Sequence, residues 1–363
     1  MRDARDARGA RDATDRDRVA VTGTGSRKLD HIRINLSEDV AGKGVTTGLD
    51  RYRFEHQALP DLDFDRIDTS TSFLGHHLRL PLLISSMTGG VPEGGRINRN
   101  LARAAQTHGV AMGLGSGRIA LEDATAREHF MVRREAPDAL LLANLGAVQL
   151  AYGYDAPRCR ELVRALEADA LILHLNPLQE AVQPEGDTRF AGLLSRIAEV
   201  CALLDVPVVV KEVGWGLSGD VARALASAGV AAVDVAGAGG TSWSEVERLR
   251  GDERQGAVAA AFAGWGIPTA EAVVAARRAV PTLPLVASGG IRDGVEVAKC
   301  IALGADVAGL ASPLLKAAAQ SAEAAEEALE ILATQLRVAM FCTGCRDIAA
   351  LQHTERLYAG AAE

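Results

Sequence analysis

One cadence organises this chain from residue 80 onward. A short apolar run ends in Gly, Ser, Asn or Thr, and an Ala/Leu/Arg-rich helical stretch follows. The runs are PLLISSMTGG from Pro81, GVAMGLGSGR from Gly109, ALLLANLG from Ala139 and ADALILHLN from Ala168. They continue as VPVVVKEVG from Val206, GVAAVDVAGAGG from Gly229, LPLVASGG from Leu283 and ADVAGLASP from Ala305. All are apolar on both faces rather than alternating, the pattern of buried parallel strands. Intervening segments such as INRNLARAAQTHG and GDVARALASAG read as helices closed by a C-terminal glycine. Eight such units with right-handed crossovers predict an α/β fold, a closed (β/α)8 TIM barrel. An open doubly wound sheet is the alternative; it would carry a GxGxxG turn after its first strand, and MTGGVPEGG is not one. Residues 27–80 are then an N-terminal addition and 314–363 a helical closing segment, so that 27–363 forms one barrel domain.

Residues 1–26 open as MRDARDARGARDATDRDR, a low-complexity run expected to be a disordered tail, with structure beginning near Arg27. The run has neither the apolar centre of a signal peptide nor the acid-poor composition of a transit peptide. A net charge of −8 with 4% aromatics argues against a nucleic-acid surface. No apolar run approaches the roughly 20 residues that a membrane span needs. Five cysteines, an odd number, read as reduced thiols of a cytoplasmic protein. The cations are lopsided, with five lysines against 34 arginines, so each lysine merits attention.

Barrel chemistry is expected at the C-terminal strand ends. The seventh and eighth ends, SGGIRDG and GLASP, place Gly290, Ile291, Arg292, Ala311 and Ser312 where paired loops and helix N-termini cradle a phosphate. Lys211 closes an apolar strand and must point into the site or be paired. His174, Asn176, Gln179 and Glu180 come as HLNPLQE, with QPEGD behind; a lone carboxylate holds Mg²⁺ only if substrate oxygens complete the shell. Arg27, Lys28 and His31 are three potential cations able to clamp a diphosphate. Cys342 and Cys345 form a CTGC without the second pair that zinc requires. Cys159, Cys201 and Cys300 read as packing residues. His56, His76, His77, His108, His129 and His353 read as structural. Trp243 and Trp265, in the long insert after the sixth strand, are lid aromatics or packing.

Taken together, RKLDH, SSMTGG, LGSGR, ANLG, HLNPLQE with QPEGD, VKEVGWG, VDVAGAGGTSW, GWGIPT and SGGIR with GLAS resemble the type 2 (FMN-dependent) isopentenyl diphosphate isomerases. The likeness spans about residues 27–350. It implies FMN held by Met87, Thr88, Gly89, Ser116, Asn144, Lys211 and Thr241, with its phosphate at Gly290, Ile291, Arg292, Ala311 and Ser312. It implies that Arg27, Lys28, His31, Arg118 and His174 hold or frame the substrate diphosphate, with Asn176 beside them. Gln179 would lie by the reacting carbons and Glu180 would bind Mg²⁺. Members convert isopentenyl diphosphate to dimethylallyl diphosphate with FMN reduced by NADPH, and assemble as homotetramers or octamers. The strand ends offer no carboxylate pair for a 1,3-proton shift, which leaves the reduced flavin as the acid–base group, with Lys211 favouring its anionic ring. Gly117 and Ala236 depart from the usual residues of the family and could alter a flavin or substrate contact. The rival, an FMN-dependent 2-hydroxy acid oxidoreductase, needs a histidine at the sixth strand end, where this chain has AGAGGTSW. A catalytically silent flavin-binding barrel is the remaining alternative.

Overall fold

The computed structural model describes residues 23–360, with the backbone alone described for residues 23–26. Eight parallel strands close into a barrel in chain order: β1 (Leu82–Ile84), β2 (Ala111–Gly113), β3 (Leu141–Gly146), β4 (Ala170–Leu175), β5 (Val208–Glu212), β6 (Ala232–Asp234), β7 (Leu285–Ser288) and β8 (Val307–Leu310). They are the eight apolar runs of the sequence. Their near-continuous burial explains the missing alternation, because one face packs into the barrel and the other under helices.

The helices used below are α1 (Gly23–Ser37), α2 (Pro92–His108), α3 (Arg118–Glu122), α4 (Ala156–Ala165), α5 (Pro177–Val182), α6 (Leu193–Leu203) and α7 (Gly219–Ser227). They continue with α8 (Trp243–Arg250), α9 (Glu253–Ala260), α10 (Thr269–Ala279), α11 (Gly294–Ala302), α12 (Ser312–Gln320) and α13 (Ala322–Cys342). α2 stops on Gly109 and α7 just before Gly229, as their sequences indicated. Among the described residues, no helix is long and apolar enough to cross a membrane.

The N-terminal addition works at both ends of the barrel. α1 begins at Gly23, four residues ahead of the start expected at Arg27; the tail assigned to residues 1–26 otherwise lies outside the described residues. α1 runs across the barrel mouth and lines the cavity there. At the floor, the hairpin Thr71–Phe73/His76–Leu78 buries Phe73 and Leu78 in the apolar cluster formed by Leu83, Ala111, Ala170, Val209 and Val286. A short antiparallel pair, Tyr52–Phe54 with Leu357–Ala359, ties the addition to the chain's far end.

Two arginine clamps, four strands apart, also brace the floor. Arg133 donates to the carbonyls of Ala136, Pro137, Ala139 and Glu167 and to Asp169 Oδ2 (2.7 Å), which also accepts the Leu141 amide. Arg277 donates to the carbonyls of Val280, Pro281, Leu283 and Gly304 and to Asp306 Oδ2 (2.7 Å), which accepts the Leu285 amide. The offsets from arginine to carbonyl acceptors within each loop are the same in both.

Candidate active site

Strand register assembles the site. Gly146, His174, Lys211 and Asp234 are paired neighbours across β3, β4, β5 and β6, so one rung carries a glycine, a histidine, a lysine and a carboxylate at the barrel mouth. Above this rung opens a cavity of about 840 Å³. Every residue assigned from sequence to FMN, substrate or metal lines it. One group is Met87, Thr88, Gly89, Ser116, Asn144, Lys211, Thr241, Gly290, Ile291, Arg292, Ala311 and Ser312. The other is Arg27, Lys28, His31, Arg118, His174, Asn176, Gln179 and Glu180.

Within the first group, the glycine loops form a cradle of backbone and small side chains. A Cβ on Gly240 would lie 2.4 Å from the Gly290 amide nitrogen, and one on Gly89 2.1 Å from the Phe130 ring, so neither loop admits a larger residue. The buried hydroxyls of Ser85 and Ser86 have no partner in the protein. Buried polar atoms are normally satisfied, so unpaired hydroxyls on a cavity wall fit a polar ligand such as a flavin ring. The two helix N-termini at the phosphate loops differ. Asp293 caps α11 by accepting the Glu296 amide, whereas α12 has no side-chain cap and lines the cavity with its first residues, next to Ala311. An uncapped N-terminus is the better anion site. The Arg292 amide is taken by Glu296, which leaves its exposed guanidinium for an anion.

Lys211 is buried and donates to the Glu212 carbonyl (2.6 Å). Two buried carboxylates flank it. Burial pushes Glu212 up to about 7 against the pull of four backbone amides, from Val213 to Gly216, and of Lys211. Burial also raises Asp234 while Lys211 and Ser288 draw it down. Glu212 therefore acts as a cap for the VGWG loop.

The second group is made of charged and amide side chains. Lys28, over the Phe130 ring at 4.9 Å, donates to the Ser116 carbonyl. Burial, then the charges of Arg27 and Arg118, bring its ammonium down to about 7. Arg118 is held by Asp187 Oδ2 (3.1 Å) and Gln149 Oε1 (3.2 Å), and Gln149 also donates to Asp187. His174 shares a 2.7 Å hydrogen bond between Nδ1 and Asn144 Oδ1, and burial followed by Lys211 drives its pKa down to about 3. It is neutral, with Nδ1–H donating to the amide oxygen. Asn176 Nδ2 donates to Gln179 Oε1 (3.0 Å) and Glu180 Oε1 (2.8 Å), while Gln183 and the Asp187 amide both donate to Glu180 Oε2 (2.7 Å each).

The structure adds residues that the sequence did not mark. Glu247 of α8 is 2% exposed and accepts from Gln179 Nε2 (3.3 Å) with one oxygen, which also contacts His31 Nε2 (3.2 Å). Asp187, Gln149 and Phe130 hold the cations of the cavity. Asp187 closes the QPEGD run, whereas Glu247, Gln149 and Phe130 lie in none of the motifs quoted above. Glu180 and Asp187 both line the cavity, on α5 and in the loop behind it rather than at a strand end, and each is already hydrogen-bonded. Trp243 meets His31 edge-on at 5.1 Å on the cavity wall, while Trp265 is 62% exposed outside it. Gly117 is not on the cavity wall, and its missing side chain makes room for Leu162; Ala236 does line the cavity, at φ 37°. The CTGC forms the turn that ends α13, with free thiols, and no cluster of three metal-binding side chains occurs among the described residues.

The model of the FMN-dependent dehydrogenase family matches residues 24–171 and 174–357. Among curated relatives, isopentenyl-diphosphate delta-isomerases of Nostoc sp., Synechococcus sp. and Xanthobacter autotrophicus are 52%, 56% and 55% identical over 91–92% of this chain and 96–97% of theirs. A crystal structure of mandelate oxidase with benzoyl-formic acid superposes with a TM-score of 0.62 at 21% identity, covering 93% of this chain and 95% of that one, which shows the shared barrel. The chain belongs to the FMN-dependent dehydrogenase family and, within it, to the isopentenyl-diphosphate delta-isomerases.

Proposed function

We propose that this chain converts isopentenyl diphosphate to dimethylallyl diphosphate in isoprenoid biosynthesis. The observation that carries the reading is one cavity lined both by glycine loops and an uncapped helix N-terminus at β7 and β8 and by the cations Arg27, Lys28 and Arg118. The loops suit the phosphate of FMN and the cations a diphosphate.

The reaction moves a proton on and a proton off an alkene without net redox change. Reduced FMN, when bound, supplies the acid–base group for this shift. Lys211 would hold negative charge on the reduced flavin, and Ser85, Ser86 and Thr88 its ring. Arg27, Lys28 and Arg118 bind the diphosphate, and His31 and Asn176 frame it. His174 frames the pocket as a neutral group, because a histidine held near pKa 3 is a poor base at neutral pH. Gln179 does not titrate; fixed between Asn176 and Glu247, it orients the alkene. Glu180 Oε1 accepts one hydrogen bond and keeps a lone pair, so it would hold Mg²⁺ together with substrate oxygens. The reading carries with it NADPH as reductant, a homotetrameric or homo-octameric assembly and a cytoplasmic setting.

Incubation of the flavin-loaded protein with NADPH, Mg²⁺ and isopentenyl diphosphate should yield dimethylallyl diphosphate. Flavin reduction by a 2-hydroxy acid, with no dimethylallyl diphosphate formed, would overturn the reading.

A further inference from the structure

Glu247 is a carboxylate without access to solvent or to the cavity, and a buried charge must be compensated. One of its oxygens is in contact with Gln179 Nε2 and His31 Nε2; the other accepts from Arg250 Nε at 2.8 Å. Arg250 lies one helical turn further along α8 and extends its NH2 to Glu185 Oε2 (3.1 Å), in the loop that follows α5. Four segments thus meet at one buried carboxylate: α1 through His31, α5 through Gln179, the 183–192 loop through Glu185, and α8 itself.

The Gln179 amide is held at both ends. Its oxygen accepts from Asn176 and its nitrogen donates to Glu247. An ionised Glu247 accepts only, so turning the amide over would set oxygen against oxygen. A protonated Glu247 could donate, and that preference would vanish. Burial pulls toward the protonated form; the hydrogen bond and charge of His31, then those of Arg250, outweigh it. Of these, Arg250 is the permanent cation.

We propose that Arg250 is a positioning residue for the alkene-facing amide: by pairing with Glu247 it fixes which way Gln179 presents its oxygen and nitrogen to the substrate. The proposal rests on the isomerase reading. It predicts that Arg250→Gln lowers kcat about 10-fold while KM for isopentenyl diphosphate changes less than about threefold, because the hydrogen bonds of Arg250 run to Glu247 and Glu185 and to none of the cations assigned to the diphosphate. Arg250→Lys, which keeps the charge at Glu247, should recover most of that kcat. In a double-mutant cycle, Arg250→Gln should add nothing to Glu247→Gln, because both act through the same carboxylate. Steady-state kinetics, bound-flavin absorbance and thermal melting on the flavin-loaded variants test this together. Unchanged kcat in Arg250→Gln, additive losses in the cycle, or a kcat loss that tracks lost flavin or a lowered melting temperature would each overturn it. Absence of turnover by the unsubstituted protein would instead overturn the isomerase reading, and this proposal with it.

Discussion

Arg133 beneath β3 and Arg277 beneath β7 hold the same kinds of acceptor, with three loop carbonyls at the same offsets, yet the strand ends above them do different work. Over β7 and β8 the chain offers backbone: Gly289, Gly290 and the open N-terminus of α12. Over β3 and β4 it offers side chains: Asn144, His174, Asn176, Gln179 and Glu180. Backbone amides suit a ligand held in one pose, because glycine lets the chain approach closely and no rotamer is lost. Side chains suit a substrate whose charge and hydrogen bonding must be matched group by group. The lesson is that a barrel floor can stay constant while its rim diverges, since floor and rim share strands but no hydrogen-bonding groups.

The contrast is sharpest where one atom decides it. Gly240→Ala places a methyl on the Gly290 backbone and should yield protein without flavin absorbance and with activity at background. Gln179→Ala should keep its flavin and lose about 10²- to 10³-fold in kcat, an effect of the size expected for a group that acts on the reacting atoms. A flavin-free Gln179→Ala protein would break the comparison, because the two ends would then not be separable. Spectra of the purified variants and steady-state assays decide both.

Below the rim the prediction is equality. Arg133→Met and Arg277→Met each strand an aspartate and several carbonyls, and each should cost about 2–4 kcal/mol, with activity retained at low temperature. Chemical denaturation of the two variants measures this. A large cost in one and none in the other would show that the matching geometry carries unequal load.

The strands were legible because burial on both faces leaves a continuous apolar run ending in small or polar residues. The strand-end residues followed from them, since a barrel fixes which end faces the site. The clamps were not legible: their acceptors are mostly carbonyls, which any residue possesses, and the two aspartates lie 36 and 29 positions downstream of their arginines. Glu247 was hidden for a related reason, as His31 lies 216 positions away and Gln179 68. The start of α1 at Gly23 was masked by a composition with no hydrophobic period to read.

The smallest effect concerns protons. The β7–β8 end, read here as the FMN phosphate site, offers backbone amides, which carry no titrating proton near neutrality, so the amides themselves should add no pH dependence to FMN affinity between pH 6 and 8. The cations assigned to the diphosphate include Lys28, with its ammonium brought down to about 7 by burial and by Arg27 and Arg118. At pH 8 the free protein therefore has Lys28 mostly neutral. A bound diphosphate offsets the neighbouring positive charge and favours the ammonium, so binding must take up a proton. Titration calorimetry in two buffers of different ionisation enthalpy should report uptake of about one proton per diphosphate at pH 8, falling toward zero at pH 6. Dissociation constants should correspondingly rise as pH climbs above 7, approaching tenfold per pH unit. Lys28→Met should abolish the uptake along with much of the affinity, and undiminished uptake in that variant would assign the proton to another group.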